Sequence, residues 1–146
     1  MNIGETLDPA VEKRVRDSFD QQGLMSLLGA KLTQVTAGQV IIRLPFRAEL
    51  TQHHGYFHAG GTSAIADTAG GFAAYTSFPD DSSVLTVEFK LNLLNPGQGD
   101  YLEATGRVVK PGRTLTVCQL DVWGVSDDRR IHVATGVQTL IRVQSR

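Results

Sequence analysis

The chain lacks most features that mark a specialised protein class. It contains one cysteine, Cys118, which excludes a disulfide framework and a cysteine-rich zinc site. Its formal net charge is −1, from 14 Lys and Arg against 15 Asp and Glu spread along 146 residues. No basic block marks a nucleic-acid binder, and no acidic tail marks a solvating segment. No apolar run reaches the roughly 18 residues of a membrane span. The opening MNIGETLDPAVEKRVRD is too charged and too poor in apolar residues for a signal peptide. These absences point to a reducing, cytoplasmic setting and to one domain over residues 1–146 with a single core. They name no function.

What is present is order. Asp8–Pro9 reads as a helix start, with Asp8 as N-cap and Pro9 at the first helical position. Val11, Val15 and Phe19 then fall four apart, predicting an amphipathic helix over about 9–20. GLMSLLGA adds a turn or two. Lys31 to Phe46 predicts two short strands turning at Thr36–Gln39, and 48–57 a loop. A helix from about Ala59 to Ser77 is apolar nearly all round, which marks it as buried. Leu85, Val87, Phe89, Leu91 and Leu93 then alternate with Thr86, Glu88, Lys90 and Asn92, a strand signal of period two. DYLEATGRVV and RTLTVCQLDVWGV, with Cys118 as a strand residue, are joined by a tight KPG connection. A last strand, IHVATGVQTLIRV, follows DDRR. One apolar helix with a long antiparallel sheet predicts an α+β fold in which the sheet curls around the helix. Its exposed edges would be protected by pairing in a dimer.

One residue sits badly in this scheme. HHGYFHAGGTSAIADTAGG, residues 53–71, places the carboxylate of Asp67 in a small and apolar helix. Burying an unpaired charge is costly, so either Asp67 faces water or it has a task.

The order of elements resembles the hotdog fold, over a core of about 23–143. GYFHAGG followed by AIADTAGGFAAY is similar to the PaaI-like acyl-CoA thioesterases. That family has a His-Gly-Gly triplet and, nine residues after its His, a catalytic Asp; His58 and Asp67 keep the separation. VLTVEFKLNLLNPG (84–97) and GRVVKPGRTLTV (106–117) resemble the strand and hairpin that follow. The middle of the triplet is Ala59 rather than Gly, and a backbone N–H survives that change.

The resemblance implies thioester hydrolysis, which needs an activated water or a nucleophile together with donors for the oxyanion. A carboxylate serves as general base or attacks directly to form an anhydride, and Asp67 is the candidate. The first N–H groups of a helix are unpaired and favour an anion. Ala59, Gly60 and Gly61 stand there, with Ala59 in the family's donor position. His58 is expected to orient this loop by hydrogen-bonding backbone. Gln52 falls where the family often has an Asn that assists the carbonyl, and Thr86 where some members have a Ser or Thr that holds the water. Thr86 shares a face with Glu88 and Lys90 in the alternation, so a solvent-facing role stays open. Lys110 and Arg113 flank the KPG hairpin, where the family often binds the nucleotide. Phe57, with Leu50, Phe72 and Tyr75, supplies candidate walls for an acyl pocket.

Asp67 lies eight residues past Ala59, or about 12 Å along one helix. Both cannot act on one carbonyl, where donors must lie within roughly 3 Å. Antiparallel helices across a two-fold axis would bring them together, predicting a homodimer with two shared sites, alone or as a dimer of dimers. His53, His54 and His58 invite a metal, but Gly55 interrupts the spacing and no acidic residue accompanies them. No metal or redox cofactor is implied, and coenzyme A enters only as part of an acyl-CoA substrate. Two other functions remain open: a non-catalytic acyl-CoA-binding module and a hotdog dehydratase on hydroxyacyl thioesters. No nucleic-acid or membrane partner is expected.

Overall fold

The computed structural model describes residues 1–145. Asp8 caps α1 (Pro9–Asp20), its Oδ1 accepting the Ala10 N–H at 2.8 Å. A short α2 (Gly23–Leu28) follows and ends at Gly29, whose φ of 78° is the left-handed conformation open to glycine. Strands β1 (Lys31–Thr36) and β2 (Gln39–Pro45) form the first hairpin. A 3-10 turn at Ala48–Leu50 occupies part of the expected loop. The central helix α3 (Ala59–Tyr75) stops two residues short of the expected end. Then come β3 (Ser82–Leu93), β4 (Tyr101–Lys110), β5 (Leu115–Ser126) and β6 (Arg129–Gln144).

All pairings are antiparallel, in one six-stranded sheet of order β1-β2-β4-β5-β6-β3. The sheet curls around α3, the hotdog arrangement. Val40, Ile42 and Leu44 of β2, Leu120 and Val122 of β5, and Leu140 of β6 are fully buried in its core. Each such side chain contributes about 1.5–3 kcal/mol by leaving water. Among the described residues no helix is long and apolar enough to cross a membrane.

Close approach between helix and sheet depends on one glycine. A Cβ on Gly106 of β4 would stand 2.4 Å from both Ala69 C and Gly70 N of α3. Cys118 fills space nearby, its thiol 3.5 Å from the Gly70 carbonyl oxygen. Burial pushes that thiol from 9.0 up to about 12.

Strand β3 departs from simple alternation. Thr86 pairs with Leu140 and Glu88 with Thr139, so Val87 is the extra residue of a β-bulge. Cross-strand partners share a face. Thr86 therefore lies on the helix side with buried Leu140, and Glu88 turns to the opposite face. The single face expected for Leu85, Val87, Phe89, Leu91 and Leu93 is split. Leu85 pairs with Ile141 on the outer face, whereas Phe89 pairs with buried Gln138 on the inner one. The shared face expected for Thr86 and Glu88 is corrected for the same reason.

Two consequences are measurable. Gly106→Ala forces backbone apart and is expected to lower the unfolding free energy by about 1–3 kcal/mol, read from the urea midpoint. Cys118 is expected to resist alkylation at pH 8 in the native protein and to react readily once unfolded. Its raised folded value also means that the neutral thiol's contribution is complete below pH 9 and is lost as pH rises toward about 12.

Candidate active site

Three elements meet at Asp67. Its Oδ1 accepts hydrogen bonds from Thr86 Oγ1 at 2.6 Å and from Gln138 Nε2 at 2.7 Å. The same Nε2 donates to the Asp67 main-chain oxygen at 3.1 Å and to Thr86 Oγ1 at 3.2 Å. Thr86 thus accepts from Gln138 while committing its own proton to the carboxylate. Oδ2 accepts no hydrogen bond among the described residues. The carboxylate is half-buried and borders a cleft of about 210 Å³, with Gln22, Met25, Phe72, Val84 and Leu140 among its walls. Charge-assisted hydrogen bonds of this kind offset the cost of drawing a carboxylate out of water. Thr86 was expected to hold a water; its hydroxyl proton is directed at Asp67.

The pairing with Leu140 sets Thr86 on the helix side, and the bulge at Val87 keeps Glu88 off that face. Gln138 had no place in the expected site. The alternation in VQTLI puts it on the same face as Leu140, and a polar residue on an inner face was the available signal.

The start of α3 forms a second centre. His58 is the N-cap, and its Nδ1 accepts the Gly60 N–H at 2.7 Å. Its main-chain oxygen accepts from Gly61 at 3.0 Å and from Thr62 at 3.2 Å, while its own N–H reaches Leu50 O at 2.9 Å. Of the early helix amides only that of Ala59 donates to nothing among the described residues. Gly60 and Gly61, expected as further donors, are therefore engaged. Gly61 also faces away, lining a separate cleft with His58 and Leu50.

Ala59 lines a larger cleft of about 470 Å³, with Gln52, Tyr56, Phe57, Leu93 and Val133 among its walls. Gln52 Oε1 accepts the N–H groups of His54 at 2.6 Å and Tyr56 at 3.3 Å. That fixes the amide and leaves Nε2 without an acceptor among the described residues. Phe57 is buried and packs edge-on against Phe46, their centroids 5.5 Å apart. Of the other expected walls, Phe72 borders the Asp67 cleft instead, Leu50 lies in the Gly61 cleft and Tyr75 lines none of these three clefts. Lys110 and Arg113 are exposed at the β4–β5 hairpin and line neither cleft.

The chain therefore holds a carboxylate and a free helix amide in two different clefts. Among the described residues, no three His, Cys, Asp or Glu side chains gather where a metal ion could sit. The His58 cap is testable by substitution. His58→Ala is expected to cost about 1 kcal/mol of stability and His58→Asn to restore most of it, as read from urea unfolding.

Known proteins share the fold and much of the sequence. A thioesterase family protein from Silicibacter pomeroyi is 40% identical, with a TM-score of 0.90 over 92% of this chain and 99% of that one. The PaaI protein of E. coli, from the phenylacetic acid degradation operon, is 20% identical and shares the fold, with a TM-score of 0.83 over 96% and 98% of the two chains. A proposed esterase from Halobacterium salinarum is 31% identical over 113 residues, 74% of each chain. The family model of the thioesterase superfamily matches residues 54–130, a span that holds Ala59, Asp67 and Thr86. The chain belongs to the thioesterase superfamily.

Proposed function

We propose that this protein is an acyl-CoA thioesterase that works as a homodimer, with Asp67 of one subunit and Ala59 of the other at each site. The observation that carries this reading is the state of the carboxylate. Oδ1 is held by two donors, Thr86 and Gln138, while Oδ2 accepts none among the described residues. An oxygen so presented can take a proton from water or attack a carbonyl itself.

In the first route water adds to the thioester carbon as Oδ2 takes its proton, and the carbonyl oxygen becomes an oxyanion. The C–S bond then breaks, the carboxylic acid forms, and coenzyme A leaves with a proton as the free thiol. In the second route Oδ2 adds first, expels coenzyme A, and water cleaves the resulting anhydride. Either way the oxyanion needs a donor. The Ala59 N–H, at the positive end of α3, is the one left open by the His58 cap. Gln52, which lines the same cleft, offers its Nε2 group as a second donor. The separate clefts that Ala59 and Asp67 line within one chain support a site shared between two subunits.

Strand β3 offers the joining surface. It is an edge strand of 12 residues with Leu85 58% and Val87 54% exposed. Unpaired edges of this length are normally covered. The 470 Å³ cleft beside Ala59 has mainly apolar walls and suits the acyl and pantetheine portion. Lys110 and Arg113 would meet the nucleotide phosphates outside it.

Free-thiol release from short, medium, long and aromatic acyl-CoAs tests this reading. Asp67→Asn is expected to lower kcat by about 100-fold or more while folding and dimerising as the natural protein does. Full turnover in that variant removes Asp67 from the mechanism. Binding of acyl-CoA without thiol release would favour a binding module, and alkene formation with the thioester intact a dehydratase.

A further inference from the structure

We infer that Gln138 is a positioning residue for the reaction: it orients Asp67 and Thr86 together, so that Oδ2 is the oxygen left for the substrate. The inference rests on the proposed role of Asp67.

Gln138 is 1% exposed, on the inner face of β6. Complete burial of a carboxamide is unfavourable unless its polar atoms are paired. Here only half of it is. Nε2 serves three acceptors, Asp67 Oδ1, Asp67 O and Thr86 Oγ1. Oε1 is buried with no partner among the described residues. Its place is also crowded. A Cβ on Gly70 would meet Oε1, and Leu120 Cδ2 at 2.6 Å. The fold thus keeps a glycine inside a helix, and an orphaned acceptor in its core, to seat this one side chain. Neither feature adds stability.

The amide's orientation follows from its neighbours. The reverse would set Oε1 against a carboxylate oxygen and a main-chain oxygen, both acceptors. With Nε2 facing them, one N–H approaches a lone pair of Thr86 Oγ1. The threonine proton is then directed away, toward Asp67. Gln138 therefore acts twice on the same carboxylate: directly, and by setting the direction of the Thr86 hydroxyl. The closed triangle of Gln138, Thr86 and Asp67 has one consistent set of donors, which holds Oδ1 and leaves Oδ2 open.

The test is Gln138→Met, which keeps the volume and length of the side chain but removes both polar atoms. Half-buried Asp67 keeps Thr86 and water as donors, and the orphaned acceptor disappears. The expected result is a kcat about 10- to 100-fold lower, a KM within about twofold of the natural protein, and an unchanged or higher melting temperature. A merely structural glutamine would give the opposite split, with loss of melting temperature and the natural kcat per folded molecule. Gln138→Leu, which is smaller toward Gly70, provides a second apolar replacement. Natural kcat in a folded Gln138→Met or Gln138→Leu, alongside an inactive Asp67→Asn, overturns this inference and leaves the proposed function standing. An active Asp67→Asn overturns both.

Discussion

The contact between α3 and β4 governs where everything else can stand. At Gly106 the strand meets the backbone of Ala69 and Gly70 with no side chain between them. A helix pressed so closely onto a sheet cannot slide or roll, because packed interiors have no spare volume. Asp67 lies two to three residues before this contact, within a single helical turn. Its depth in the molecule, and its reach to β3 and β6, are inherited from the Gly106 contact. Gly70 matters on the same turn, since its bare Cα leaves the space that Gln138 and Leu120 occupy. Small residues that cost helix propensity are what admit a polar group beside the carboxylate.

Two local irregularities turn this packing into a site. The bulge at Val87 rotates β3 by one residue, so that a threonine faces the helix and a glutamate faces outward. Without the extra residue Glu88 and Thr86 would share a face, and the strand would bring a second negative charge toward Asp67. At the other end of α3 the cap comes from an imidazole. By engaging Gly60 through its ring and Gly61 and Thr62 through its carbonyl, His58 reduces a row of amides to one. A helix start often binds anions diffusely; this one has a single open position.

Much of this could be read from residue patterns. The Asp8–Pro9 start, the buried helix around Asp67 and the run of long strands all follow from periodicity and caps, since these are local properties. Asp67 drew notice because a charge in an apolar helix is a local contradiction. The bulge escaped because alternation in TVEFKLNL looks regular, and the extra residue exists only relative to β6. Gln138 escaped for a related reason: its partners are 52 and 71 positions away in the chain. Gly60 and Gly61 looked like donors because the first amides of a helix are unpaired, yet the His58 ring and carbonyl already accept their hydrogen bonds. Distance in sequence, rather than weakness of signal, separates what was legible from what was not.

Strand order also sets a timetable for the growing chain. β3 pairs with β6, three strands later in the chain, and among the described residues has no strand on its other side. Until the ribosome has delivered β6, the backbone groups of β3 have no partner in the sheet. At a synthesis rate of about 5–20 residues per second, that interval is roughly 2–10 s. Over those seconds Leu85, Val87 and Phe89 form a hydrophobic ribbon with two open edges, the arrangement that chaperones and aggregation compete for. Lys90 and Glu88, charged residues within the same strand, act as gatekeepers against self-stacking. The long reach of β6 back to β3 therefore makes β6 the element that ends the most vulnerable period of β3.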